Sequence, residues 1–212
     1  MAATTAASTD SADGIAAGST AVTGIVLAAG AGTRFGRPKA LVLADDGEPW
    51  VARAARLLAE AGCDRVIVVL GAQAEGAASL VPPAIPVTGR PEPTPVQVVV
   101  AADWELGMSE SLRAGLAEAT GTAALVTLVD LPDLPLAVVD RVLADVTIDV
   151  LRQAMYDGRP GHPVLVGRAH WDAIVRDLSG DRGARAYLAA HGVDEAECSD
   201  LFDGRDVDRP IG

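Results

Sequence analysis

The sequence predicts an α/β fold, a doubly wound, mostly parallel sheet with a small antiparallel C-terminal addition. Three observations carry this. Short continuous apolar runs recur along the chain: VTGIVLA, RVIVVL and AALVTLV. Stretches with helical spacing separate them. The first run ends in a glycine-rich turn and the last ends at an aspartate. Uninterrupted apolar strands alternating with helices are what a parallel sheet covered on both faces requires.

The elements follow in order. Residues 1–20 are small, polar and aperiodic, without a basic start or a long apolar core, so they are expected to be a disordered tail and not a signal peptide. The remaining residues, 21–212, are expected to form one domain. Val22–Ala28 reads as a buried strand. Trp50–Ala61 reads as a helix, with Gly62 where a C-terminal cap belongs. Arg65–Leu70 is a second buried strand. Val81–Pro95 holds six prolines and is expected to be irregular. Val96–Ala101 is a third strand. Ser109–Ala119 opens on a serine suited to capping and sets Leu112 and Leu116 at helical spacing. Ala123–Val129 is a fourth strand, ending at Asp130. Leu134–Asp145 reads as a helix with Pro135 in its first turn. Asp149–Tyr156 and His162–Val166 flank a DGRPG turn as an antiparallel pair. Helices near His170–Leu178 and Arg182–His191 complete a Rossmann-like domain.

Composition excludes several functions. The net charge of −12 argues against nucleic-acid binding, which needs a basic footprint, and against docking on anionic lipid. No apolar run approaches the ~20 residues of a membrane span. Cys63 and Cys198 are too few for a disulfide scaffold or zinc site and read as small buried hydrophobes in a cytoplasmic protein. Half the residues are hydrophobic but only 3% are aromatic, so the core must be aliphatic. Among 17 basic residues only Lys39 is a lysine. A single lysine in an arginine-biased chain marks a place where a point charge and a planar fork are not interchangeable.

Leu27–Leu41, LAAGAGTRFGRPKAL, starts where the first strand ends, the edge at which open α/β sheets bind ligands. Gly30, Gly32 and Gly36 let the backbone turn and expose amides to an anion. Arg34 and Lys39 add two cations. Such a loop suits a triphosphate, with the cations neutralising charge as pyrophosphate leaves. A dinucleotide loop would need glycine where Phe35 stands, and the G-x-x-x-x-G-K-[ST] signature is absent. Asp130, at the end of the fourth strand, suits Mg²⁺, which takes one or two carboxylates plus phosphate oxygens. The alternative is a turn or cap aspartate. Asp206 and Asp208 flank Val207 and face one side of an extended segment. Gly107–Ser111 leads into a helix N-terminus and is a second candidate ligand loop, or simply an ordinary capped helix. His162, His191, Trp50 and Trp171 read as structural.

LAAGAGTRFGRPKAL resembles the signature of the MobA-like nucleotidyltransferase superfamily, whose members move a nucleoside monophosphate from a triphosphate to a phosphorylated acceptor. The unbroken RFGRPKAL resembles the molybdenum cofactor cytidylyltransferases within it. WELGMSESLRAGL (Trp104–Leu116), LVDLP (Leu128–Pro132), GRPGHPV (Gly158–Val164), GDRGAR (Gly180–Arg185) and DVD (Asp206–Asp208) resemble further family motifs, in order. The sequence departs from the family at Ala101-Ala102, at Leu131 and at Arg209.

The resemblance implies transfer of CMP from CTP to the phosphate of molybdopterin, with Mg²⁺ as cofactor. Lys39 and Arg34 would be catalytic. Leu27, Ala28, Ala29, Gly30, Gly32 and Gly71 would bind the nucleotide with them. Gly107, Ser109 and Ser111 would bind the acceptor, and Asp130 and Asp208 the metal. A guanylyltransferase, a sugar-phosphate nucleotidyltransferase, and a carrier handing mature cofactor to a molybdenum hydroxylase in a transient complex are the alternatives. An NAD-dependent oxidoreductase is disfavoured by Phe35.

Overall fold

A computed structural model of the protein describes residues 20–208. The expected tail, apart from Thr20, lies outside them. So do residues 209–212.

Eight strands form one sheet. They are β1 (Val22–Ala28), β2 (Arg65–Leu70), β3 (Ala84–Ile85), β4 (Thr94–Val100), β5 (Ala123–Leu128), β6 (Leu151–Tyr156), β7 (Arg159–Gly167) and β8 (Asp194–Glu197), in the order β3-β4-β2-β1-β5-β7-β6-β8. β1, β2, β4 and β5 are parallel, with Leu27 opposite Leu128 and Ala28 opposite Leu70. β7 runs antiparallel to both β5 and β6, and β8 parallel to β6. The fold is thus α/β with a mostly parallel centre and an antiparallel C-terminal part, as the apolar runs predict.

Alternation along the central strands divides the core. Val26, Val66, Val68 and Leu125 face one side, packed by α1 (Trp50–Glu60) and α4 (Leu136–Val142). Ile25, Ile67, Val69 and Val126 face the other, packed by α3 (Met108–Glu118), α5 (Trp171–Asp177) and α6 (Arg185–Ala190). Strands buried on both faces must be apolar at every position, and β1 is buried along its full length.

The structure corrects several boundaries. α3 starts at Met108 with Gly107 at its N-cap. Ser109 lies inside the helix, fully buried, and its hydroxyl has no partner, so it is not a cap. β4 begins at Thr94, inside the proline-rich stretch, because its Pro95 faces only the two-residue β3 at the sheet edge, where a missing N–H is tolerated. Pro135 is the N-cap of α4 and not part of its first turn. The antiparallel turn shrinks to Asp157-Gly158, and β7 begins at Arg159. A five-residue helix, α2 (Ala74–Ala78), follows β2. Neither it nor β8 is legible in the sequence: α2 is too short to show a period, and three of the four residues of β8 (DEAE) are acidic and exposed.

No helix among the described residues is long and apolar enough to cross a membrane.

Candidate active site

β1 and β5 are neighbours whose following segments part company. The chain leaves β1 toward β2 on one side, while β5 lies on the other. This is the switch point at which parallel sheets bind ligands. A cleft of about 480 Å³ opens there, walled by Leu27–Gly30 at the end of β1 and Leu128–Asp130 at the end of β5. Backbone bonds brace both segments: Ala72 N–H donates to Ala29 (2.9 Å) and Val129 N–H to Leu27 (3.1 Å).

The glycine-rich loop has a specific shape. Gly32 takes φ 60°, and a Cβ there would collide with the Arg37 carbonyl. Its own carbonyl accepts from the amides of Phe35 (2.9 Å) and Gly36 (2.8 Å). Those two amides are therefore used within the loop, contrary to a reading in which all of it grips anions. The amides of Gly30, Ala31, Gly32, Thr33 and Arg34 have no protein partner among the described residues. Phe35 is buried and meets Trp50 of α1 edge-on at 5.6 Å. Trp50 is thus core, as expected, and it anchors the loop. Aromatic pairs of this geometry add roughly 0.5–1.5 kcal/mol beyond area burial.

Lys39 Nζ donates to Asp130 Oδ2 and to Asp208 Oδ1, each at 2.9 Å. Arg34 reaches Asp208 Oδ2 at 2.8 Å. The nearer acids do not compete. Glu48 accepts from Arg53 and Arg56, and Asp46 from Arg53. Lys39 is 13% exposed and Arg34 81%, so the lysine is inside the cleft wall and the arginine at its rim. Burial alone would lower the Lys39 pKa, but its bonds to Asp130 and Asp208 outweigh that and raise it. The Lys39 ammonium in turn holds Asp208 below the usual carboxylate range.

Asp208 is delivered by a backbone bond, in which Val207 N–H donates to the Asp130 carbonyl at 2.9 Å. Asp206 and Asp208 flank that anchor, and Asp130, Asp206 and Asp208 each offer an oxygen within 4.8 Å of the others. Asp130 Oδ1 is buried without a partner. An unpaired buried acceptor costs ~1–3 kcal/mol or more when charged, and a divalent cation bound by hard oxygens would relieve it. The donor set fits such an ion.

The remaining sequence candidates separate. Gly107 and Ser111 line the cleft, but Ser109 does not. Gly71 does not line it either. A Cβ there would come within 2.5 Å of Trp104 and 2.6 Å of the Ala29 carbonyl, so Gly71 lets Trp104 seat against the cleft. Gly107, at φ 119°, similarly lets the start of α3 approach Asp181 and the Gly180 carbonyl. Trp104 and Asp181 line the cleft, yet no role was legible for them, because neither has a chemical partner near it in sequence. His191 Nδ1–H donates to the Tyr187 carbonyl (2.8 Å) and its ring stacks on the Tyr187 ring, and Trp171 Nε1 donates to Val166 O at 3.0 Å. Both are structural. Cys63 and Cys198 are buried, and burial pushes the Cys63 thiol up to about 12.

The chain is similar to known proteins over most of its length. The nicotine blue oxidoreductase of Paenarthrobacter nicotinovorans is 39% identical over 198 residues, covering 88% of this chain and 92% of that protein. The crystal structure of Rv0371c from Mycobacterium tuberculosis H37Rv superposes with a TM-score of 0.72 at 27% identity, covering 90% of this chain and 94% of that one. A structure of Rv0371c in complex with manganese gives 0.63 at 26% identity, over 84% and 87%. The model of the MobA-like NTP transferase domain matches residues 24–196, and the chain belongs to that nucleotidyltransferase family.

Proposed function

We propose that the protein transfers CMP from CTP to the phosphate of molybdopterin, releasing pyrophosphate. The carrying observation is Lys39, held 2.9 Å from both Asp130 and Asp208 at the end of a loop with free amides. In this account the amides of residues 30–34 and the Arg34 fork take the β- and γ-phosphates. Lys39 exchanges its carboxylate partners for phosphate oxygens and faces the charge that develops at the α-phosphorus. An acceptor phosphate oxygen attacks that phosphorus in line. The bond to the bridging oxygen breaks, and that oxygen leaves with its electron pair as part of pyrophosphate. Mg²⁺, held by Asp130 and Asp208 with Asp206 beside them, would supply Lewis-acid stabilisation. Gly107 and Ser111 would face the acceptor. The choice of cytidine and molybdopterin rests on the unbroken RFGRPKAL. Delivery of the product to a molybdenum hydroxylase in the cytoplasm is part of the same proposal.

Pyrophosphate release with CTP, GTP, ATP and UTP, each with Mg²⁺ and molybdopterin, tests it. CTP should dominate. Wild-type rates from both Lys39→Ala and Asp130→Ala would overturn it.

A second reading, reduction of a pigment, is favoured by the 39% identity to nicotine blue oxidoreductase. Consumption of nicotine blue by the protein with NADH or NADPH would support it. That activity persisting in Lys39→Ala would detach it from the phosphate loop.

A further inference from the structure

Asp208 holds two cations at once. Its Oδ1 accepts from Lys39 Nζ at 2.9 Å and its Oδ2 from Arg34 at 2.8 Å. A carboxylate bridging an ammonium and a guanidinium presents the same pair of anionic oxygens that a phosphate group would. Among the described residues, Lys39 and Arg34 are the only cations lining the cleft, and five carboxylates line it with them. Three are the clustered Asp130, Asp206 and Asp208, and the other two are Glu105 and Asp181. A cleft with this surplus of acid repels a bare polyanion.

We infer that Asp208 decides what the cleft accepts: a triphosphate complexed to a divalent cation, and not a free phosphate anion. The reason is that one set of atoms serves two purposes. The Asp208 oxygens that would ligate a hard cation are the oxygens that hold Lys39 and Arg34. An oxygen turned toward a divalent ion loosens its hold on a side-chain cation that the phosphates need. Divalent ion and triphosphate therefore favour each other's binding, and the coupling is reciprocal. A triphosphate arriving alone must break both Asp208 contacts and face five carboxylates with two cations. This selectivity rests on the loop binding a triphosphate, as proposed above, and not on the choice of base or acceptor.

The test is calorimetric titration of tripolyphosphate into the full chain, once in EDTA and once with Mg²⁺. The wild type should bind far more tightly with Mg²⁺. Asp208→Asn keeps the shape and removes the charge, and Asp208→Ser is a second choice should the first lower the melting point. In EDTA the variant should bind tripolyphosphate at least about tenfold more tightly than the wild type, and Mg²⁺ should add less to it. Asp206→Asn removes a charge from the same cluster but no bond to Lys39 or Arg34. It should change binding in EDTA by less than roughly threefold. A residue that served only as a metal ligand would leave binding in EDTA untouched, and that result would overturn the inference. So would an equal gain from Asp206→Asn, or a wild type indifferent to Mg²⁺. Failure of the wild type to bind tripolyphosphate or CTP even with Mg²⁺ would sink the transfer reaction, and the selectivity with it.

Discussion

Lys39 Nζ and Asp130 Oδ2 lie 2.9 Å apart, although 91 residues separate them in sequence. The lysine ends the loop after β1, and the aspartate closes β5. Their meeting follows from two parallel neighbours releasing their chains at one edge.

Lys39→Arg tests whether a point charge is required. The planar guanidinium cannot sit between Asp130 and Asp208 in a space that leaves the ammonium 13% exposed. Pyrophosphate release should fall by about two orders of magnitude, matching ~2.7 kcal/mol of lost transition-state stabilisation. The circular dichroism spectrum should be unchanged.

Asp130→Asn tests the orphaned oxygen. The amide cannot supply an anionic ligand, so Mn²⁺ affinity read by electron paramagnetic resonance should fall at least tenfold. Asp206→Asn should have a smaller effect, because Asp206 is exposed.

Phe35→Leu removes the edge-on contact with Trp50. The change should cost about 1–2 kcal/mol in urea unfolding. It should also raise the KM for nucleotide, since the ring fixes the loop that carries the free amides.

Ser109→Ala separates two accounts of one residue. Loss of a helix cap would cost ~1 kcal/mol. Its hydroxyl is instead buried without a partner, so the variant should be neutral or slightly more stable.

His162 gives a pH dependence. Its folded pKa is about 4 against an ordinary 6.5, because burial disfavours the charged ring. The unfolded chain therefore takes the proton first, and stability is full above about pH 6.5 and lost as pH falls toward 4. The loss between pH 7 and pH 5 is about 2 kcal/mol. Asp181, Arg182 and Arg185 line one cavity with it. Urea unfolding at the two pH values should show this difference in the wild type and not in His162→Phe.

The central architecture was legible because buried parallel strands must be apolar at every position. VTGIVLA, RVIVVL and AALVTLV therefore announce themselves. Elements without that constraint did not. β8 is mostly acidic, α2 is little more than one turn long, and Ser109 matches a cap only if the helix starts two residues later than it does. In the site, Lys39 and Asp130 were readable from chemistry at strand ends. Trp104 and Asp181 were not, because what brings them to the cleft is the missing side chain of Gly71 and of Gly107.

The bond from Val207 N–H to the Asp130 carbonyl has an evolutionary and practical consequence. It docks the last acidic groups through the main chain, with the Val207 side chain packed against the core beside it. Competence is thereby separable from folding. Removing residues 205–208 should leave a stable, correctly assembled sheet that has lost two of its three clustered carboxylates. A protease cutting at the exposed Arg205 would act on the same boundary, silencing the protein without unfolding it.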